Sequence, residues 1–229
     1  MRIKILFLAS AISLAAALKG APTPGFLVSK DRPVPDEYWV FAPPAIGQFT
    51  PASDNEYRSF SFDPNVFDSK TKVAKEAVRF IYHYSVTNHM ENPQTRRTTL
   101  LDVIKYGSEA AAQLEVKKRI DAAVPTDQYD KKVKFPRCDP KHESDFKGPE
   151  QFVKKIPLAK GGDAYVLRDG KFWDYQCKKA STQNEYVTWS SGVYVFRIDC
   201  SPALTEKDDQ AVYGQGELLF AEYQKARGE

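Results

Sequence analysis

The 229-residue chain carries 33 Lys and Arg against 30 Asp and Glu, is 42% hydrophobic and 13% aromatic, and has a formal net charge of +3. Its basic residues are interspersed with acidic ones instead of forming the clustered basic face of a nucleic-acid binder, so nucleic acid is set aside as a partner. The length fits one large domain or two small ones, the apolar content suffices for an ordinary core, and the wealth of aromatic residues favours strands over helices.

Arg2 and Lys4 precede an uncharged apolar run over residues 5–17, which closes with Ala15-Ala16-Ala17. Lys19, Pro22 and Pro24 end that run well short of the ~20 apolar residues a spanning helix needs. The layout is that of a signal peptide (1–17) with cleavage near Leu18. It implies an exported protein, periplasmic or extracellular, with no transmembrane segment after cleavage. Losing Arg2 and Lys4 brings the net charge down to +1. In an oxidising compartment Cys138, Cys177 and Cys200 imply one disulfide and one leftover thiol.

Residues 18–52 form a proline-rich extended lead-in, in which the adjacent Tyr38, Trp39, Val40 and Phe41 predict a short strand or a docking plug. A single α+β domain is expected over 53–229. It divides into two similar strand-then-helix halves, 53–125 and 150–229, joined by a loop-rich segment, 126–149.

Alternation predicts strands over 57–62, over 77–87 with Val78, Phe80, Tyr82 and Tyr84 on one face, and over 98–106. Ser108 is a good N-cap for a helix that Pro125 ends, and its expected apolar stripe is Ala110, Leu114, Ile120 and Val124. Asp169-Gly170 predicts a hairpin that pairs Val166 with Trp173 and Leu167 with Phe172. A second turn at Ser191-Gly192 predicts Trp189 opposite Tyr194 and Val187 opposite Phe196. One face then collects Val187, Trp189, Tyr194, Phe196 and Ile198, and the other Tyr186, Thr188, Ser190, Val195, Arg197 and Asp199. The same phase puts Cys177 and Cys200 inward from one sheet, which favours them slightly as the disulfide pair among three possible pairings. A last helix is expected after Pro202, capped by Thr205, interrupted at Gly214 and Gly216, and resumed by Leu218, Leu219 and Tyr223.

The expected fold is therefore α+β: a mainly antiparallel sheet of about six or seven strands covered by two helices, α/β sandwich-like. The order of its elements resembles that of small exported α/β sandwich proteins.

Motifs of specific chemistry are missing from the sequence. No G-x-S-x-G elbow occurs, and Ser190-Ser191-Gly192 reads as a turn. Gly161-Gly162 lacks the lysine and serine of a phosphate loop and reads as a plain loop. His83 and His89 would need His142 or Glu143 from far along the chain to hold zinc, and His83 falls on the outer side of its strand. Cys138 with His142 reads as a loop and not as a nucleophile with its base. Trp173 and Trp189 fall on the buried face, so they read as core. No catalytic residue, metal site or cofactor is assigned. Tyr186 and Arg197, neighbours on the outer face, are the candidates for contact with a partner. The expectation is a non-enzymatic protein that binds another protein or an envelope component. The alternatives are a secreted hydrolase whose carboxylates meet only in the fold, and a carrier of a small apolar ligand between sheet and helix.

Overall fold

The computed structural model describes residues 34–51, 60–61, 76–84, 98–132, 145–168, 171–175, 178–180, 185–201 and 215–229. Nine of their strands join one sheet: β1 (Phe49–Pro51), β2 (Phe60–Ser61), β3 (Glu76–Tyr84), β4 (Thr98–Lys105), β5 (Val124–Pro125), β7 (Gln151–Pro157), β8 (Asp163–Arg168), β11 (Glu185–Ser191) and β12 (Tyr194–Ser201). Eight run in the order β1-β3-β4-β12-β11-β8-β7-β5, and β2 pairs with β3. All these pairings are antiparallel except β5 with β7, so the sheet is mixed and larger than the six or seven strands expected. A second sheet holds β6 (Asp145–Lys147), β9 (Lys171–Tyr175) and β10 (Lys178–Ala180) in the order β10-β9-β6. The helices are α1 (Asp36–Trp39), α2 (Glu109–Ala122), the single turn α3 (Tyr129–Lys132) and α4 (Gln215–Arg227).

The period-two pattern sorts side chains onto two buried faces. On the first face Val78, Phe80 and Tyr82 of β3, Leu101 and Val103 of β4, Phe196 and Ile198 of β12, and Val187 and Trp189 of β11 form a continuous core with Leu219, Phe220 and Tyr223 of α4. The second face is covered by α2, where Ala112 and Val116 pack on Ala77, Ile104 and Val195. Ser108 caps α2 as expected, its Oγ accepting the Ala111 N–H at 3.2 Å. The expected stripe on α2 is corrected in part: Ile120 packs on this core, but the buried positions are Ala112, Glu115 and Val116 while Leu114 is half exposed. The real inward face turns on a small alanine and on two charged residues, Glu115 and Arg119, that apolar counting passes over.

Two hairpin expectations also change. The strand β8 pairs with β11 and β7, so both its edges are taken and it does not pair with β9. Val166 lies opposite Val187, and Trp173 of β9 lies opposite Asp145 and Ala180 in the smaller sheet. The β11–β12 hairpin forms, but Trp189 faces Phe196 and Val187 faces Ile198, two residues from the expected register. A shift of two leaves every side chain on its expected face. The turn itself is Gly192-Val193, with Gly192 at φ +54°, a conformation that favours glycine.

The aromatic lead-in is a plug rather than a strand. Pro35 precedes the single turn α1, which buries Tyr38 and Trp39 in the first-face core. Trp39 packs on Phe80 at 5.5 Å between ring centres, and the Tyr38 hydroxyl donates to Glu76 Oε2 at 2.9 Å. Two further tyrosines strap the segment down: the Tyr82 hydroxyl donates to the Pro43 carbonyl, and that of Tyr223 in α4 donates to the Phe41 carbonyl. The helix α4 lies close on β11 because Gly216 has no side chain; a Cβ there would stand 3.1 Å from the backbone of Glu185 and Tyr186. The expected cap at Thr205 and break at Gly214 lie outside the described residues.

Candidate functional site

Two regions could carry chemistry: a charged network buried under α2, and a cleft at the turn end of the sheet. The network starts from β3 and β4, where Arg79 grips Asp102 with two hydrogen bonds of 2.6 and 2.8 Å. In β12, Arg197 holds Asp199 Oδ2 at 2.9 to 3.0 Å, and α2 adds the Arg119–Glu115 pair at 3.0 Å. Such a group of like and unlike charges can sit out of water only because each cation has a carboxylate beside it. Burial opposes the charge on Arg197, but Asp199, Tyr186 and Asp102 outweigh it and hold the guanidinium above its ordinary pKa. Burial pushes the Asp199 carboxyl up, against the pull of Arg197, and its Oδ1 has no hydrogen-bond partner among the described residues.

Tyr186 and Arg197 belong to this network. The guanidinium stacks on the Tyr186 ring, on the face opposite the main core as the strand phase requires. That face is closed, however: α2 lies over it, Tyr186 is fully buried and the Arg197 side chain is 22% exposed. The expectation of an open contact surface there is corrected, since the pair stacks inside the fold. His83 likewise lies on the second face yet is buried, with Thr98 Oγ1 3.3 Å from its Nδ1. His89, His142, Cys138 and Cys177 lie outside the described residues, as do the side chains of Cys200 and Trp173. The argument for pairing Cys177 with Cys200 from one shared sheet loses its premise, because β9, which leads to Cys177, belongs to the smaller sheet. Among the described residues no three His, Cys, Asp or Glu side chains gather as a metal site would require.

The cleft has a volume of about 730 Å³ and wraps over the β7–β8 and β11–β12 turns, from α2 on one face to α4 on the other. Its aromatic wall follows from the hairpin register. Cross-strand partners Trp189 and Phe196 stack at 5.0 Å, and Phe220 and Tyr223 of α4 close on Trp189 at 4.8 and 5.6 Å. Phe41, from the lead-in, meets Phe196 at 5.0 Å. On the α2 side Val116, Ile120 and Tyr165 line it together with the polar Glu109, Gln113, Lys117 and Asp121. Gly161 and Gly162, both at positive φ, form the β7–β8 turn at the cleft, a plain loop as the sequence implied.

The rim is ionic. Lys117 pairs with Asp121 at 2.7 Å, Lys155 with Asp163 at 2.8 Å, and Lys160 with Glu229 at 3.0 Å. Arg227 lies over Phe41 and Tyr223, with its guanidinium carbon 5.6 and 6.0 Å from their ring centres. The sequence allows a ligand cavity between sheet and helix but assigns none of these residues to it. The one signal for it was the abundance of aromatic residues in 186–196 and in the last helix, which is also the signal for a core.

No protein-family model matches the sequence, and no curated protein does either. Among solved structures the chain is similar to the extracellular domain of PknH from Mycobacterium tuberculosis, with 7% identity, a TM-score of 0.35, and coverage of 72% of this chain and 70% of that one. A superposition that loose identifies neither a shared fold nor a shared activity.

Proposed function

We propose that this chain is an exported, non-enzymatic binding protein that seats a small, partly apolar ligand in the cleft that runs from α2 to α4. The observation that carries the reading is the cleft of about 730 Å³ itself, where the edges of the buried rings Trp189, Phe196, Phe220 and Tyr223 form an apolar floor inside a polar lining. Ligand sites are commonly concave, mostly apolar and of ~300–1,000 Å³, with a few placed polar groups. Binding is favoured over hydrolysis because the acids of the cleft are engaged: Asp121, Asp163 and Glu229 each face a lysine, and Glu109 accepts from Gln113. Binding of a partner through a free aromatic lead-in loses ground, because Tyr38 and Trp39 are core.

Export is tested by amino-terminal sequencing of the secreted chain, which should begin at Leu18. Seating is tested by fluorescence titration with the neutral probe N-phenyl-1-naphthylamine. Saturable uptake is expected, together with its loss in Gln113→Phe, which fills the cleft from the exposed side of α2. Uptake that is absent, or that Gln113→Phe leaves unchanged, would remove the cleft as the seat.

A further inference from the structure

Resting on the cleft reading, the geometry points to a ligand that carries one anionic head: we infer that Lys160 and Arg227 form an oxyanion seat at one end of the cleft, which the Glu229 carboxylate fills in the free protein.

Three observations converge on that corner. First, two cations share one carboxylate. Glu229 Oε1 lies 3.0 Å from Lys160 Nζ and 3.5 Å from Arg227 Nη2. The second distance is long for a hydrogen bond, so the arginine is poorly served by this partner. Second, Arg227 Nε is buried and has no hydrogen-bond acceptor among the described residues. A guanidinium recognises oxyanions best through two parallel N–H donors, and here one of them is left over. Third, the aromatic faces of Phe41 and Tyr223 lie beneath the guanidinium and limit where it can turn. The acidic rim residues Asp121 and Asp163 are held by Lys117 and Lys155 and do not compete for this corner.

The position of Glu229 is built in. The Glu229 N–H donates to the Gln224 carbonyl at 2.9 Å and the Gly228 N–H to that of Lys225 at 3.1 Å, while Gly228 takes φ +69°. This is the Schellman closure of a helix end. It delivers the Glu229 carboxylate to the two cations as a tethered anion of this chain's own. A free anion of the same kind, joined to an aromatic or acyl body held in the cleft, would displace it. The recognised class is therefore a small amphipathic anion: an apolar body with a carboxylate or comparable oxyanion at one end.

The test uses two probes that share a ring system and differ in charge, 8-anilinonaphthalene-1-sulfonate and neutral N-phenyl-1-naphthylamine, titrated into the full chain. The sulfonate should bind roughly five- to tenfold tighter, as expected of a charge-assisted hydrogen-bond pair, and added salt should narrow the gap. Arg227→Met should abolish the preference and leave the neutral probe in place. Glu229→Gln, an exposed change that leaves the core untouched, should tighten the sulfonate alone. Equal binding of the two probes, or a preference that survives both Arg227→Met and Lys160→Met, would overturn the anion seat while leaving the cleft intact. Uptake of neither probe would overturn the cleft reading itself.

Discussion

The guanidinium carbon of Arg197 sits 3.7 Å from the centre of the Tyr186 ring, although neither residue is the other's strand partner: Tyr186 lies opposite Asp199 and Arg197 opposite Thr188. The diagonal stack joins β11 and β12 beneath α2 and fixes the arginine where it can hold Asp199. Arg197→Leu keeps the bulk but strands Asp199 without its cation in a buried site. A loss of about 3–5 kcal/mol is expected from urea unfolding, as for other broken buried pairs. Tyr186→Phe keeps the ring and should cost far less.

Asp199 gives the protein a pH signature. Burial raises its native pKa above the ordinary 3.8. The native state therefore holds this proton at pH values where the unfolded chain has released it, and the contribution of Asp199 to stability falls as pH rises from 3.8 through its native value. Asp199→Asn lacks that titration. Wild-type minus variant stability, read from urea midpoints at about pH 4 to 7, should decline as pH rises. A flat difference would count against the buried titration.

Gly216 is the point where α4 touches β11. A methyl group there meets backbone atoms of Glu185 and Tyr186 at 3.1 Å, and backbone in mid-sheet has little room to give. Gly216→Ala should cost about 1–3 kcal/mol, as overpacking does, and hydrogen exchange should show faster opening of α4 and β11.

The lead-in predicts the outcome of truncation. Trp39→Ala should cost about 3–5 kcal/mol. A chain cut back to residue 53 loses Tyr38, Trp39, Ile46 and Phe49 from the first-face core together. It should show a lowered or absent thermal transition by calorimetry.

The helix α2 offers a paired control. Leu114 is half exposed and Val116 is buried against the sheet. Leu114→Ala should fall within about 0.5 kcal/mol of the parent, and Val116→Ala should cost about 2 kcal/mol.

These residues also mark how far the sequence could be read. Alternation placed β3, β4, β11 and β12 well because their faces bury apolar side chains, and the Ser108 cap was visible because capping is local chemistry. The partner of β8 was not visible. Asp169-Gly170 advertises a hairpin, whereas β8 takes its neighbours from β7 and β11 through contacts that no turn encodes. The face of α2 was misread because its inward positions include Glu115 and Arg119, charged residues that are buried only by virtue of their mutual pairing and the network below. The cleft was hidden for the same reason as most sites: it is a meeting of distant segments. Phe41, Trp189 and Tyr223 come from the lead-in, a hairpin and the last helix.

The bond from Tyr223 to the Phe41 carbonyl spans 182 positions of sequence. Lead-in and α4 close the same core, so a chain emerging from its amino terminus has no complete first face until α4 is available. Contacts so far apart slow folding. While α4 is missing, Trp189 and Phe196 lack the Phe220 and Tyr223 rings that cover them. Compaction of the first face is then postponed until α4 arrives and locks the lead-in beneath it.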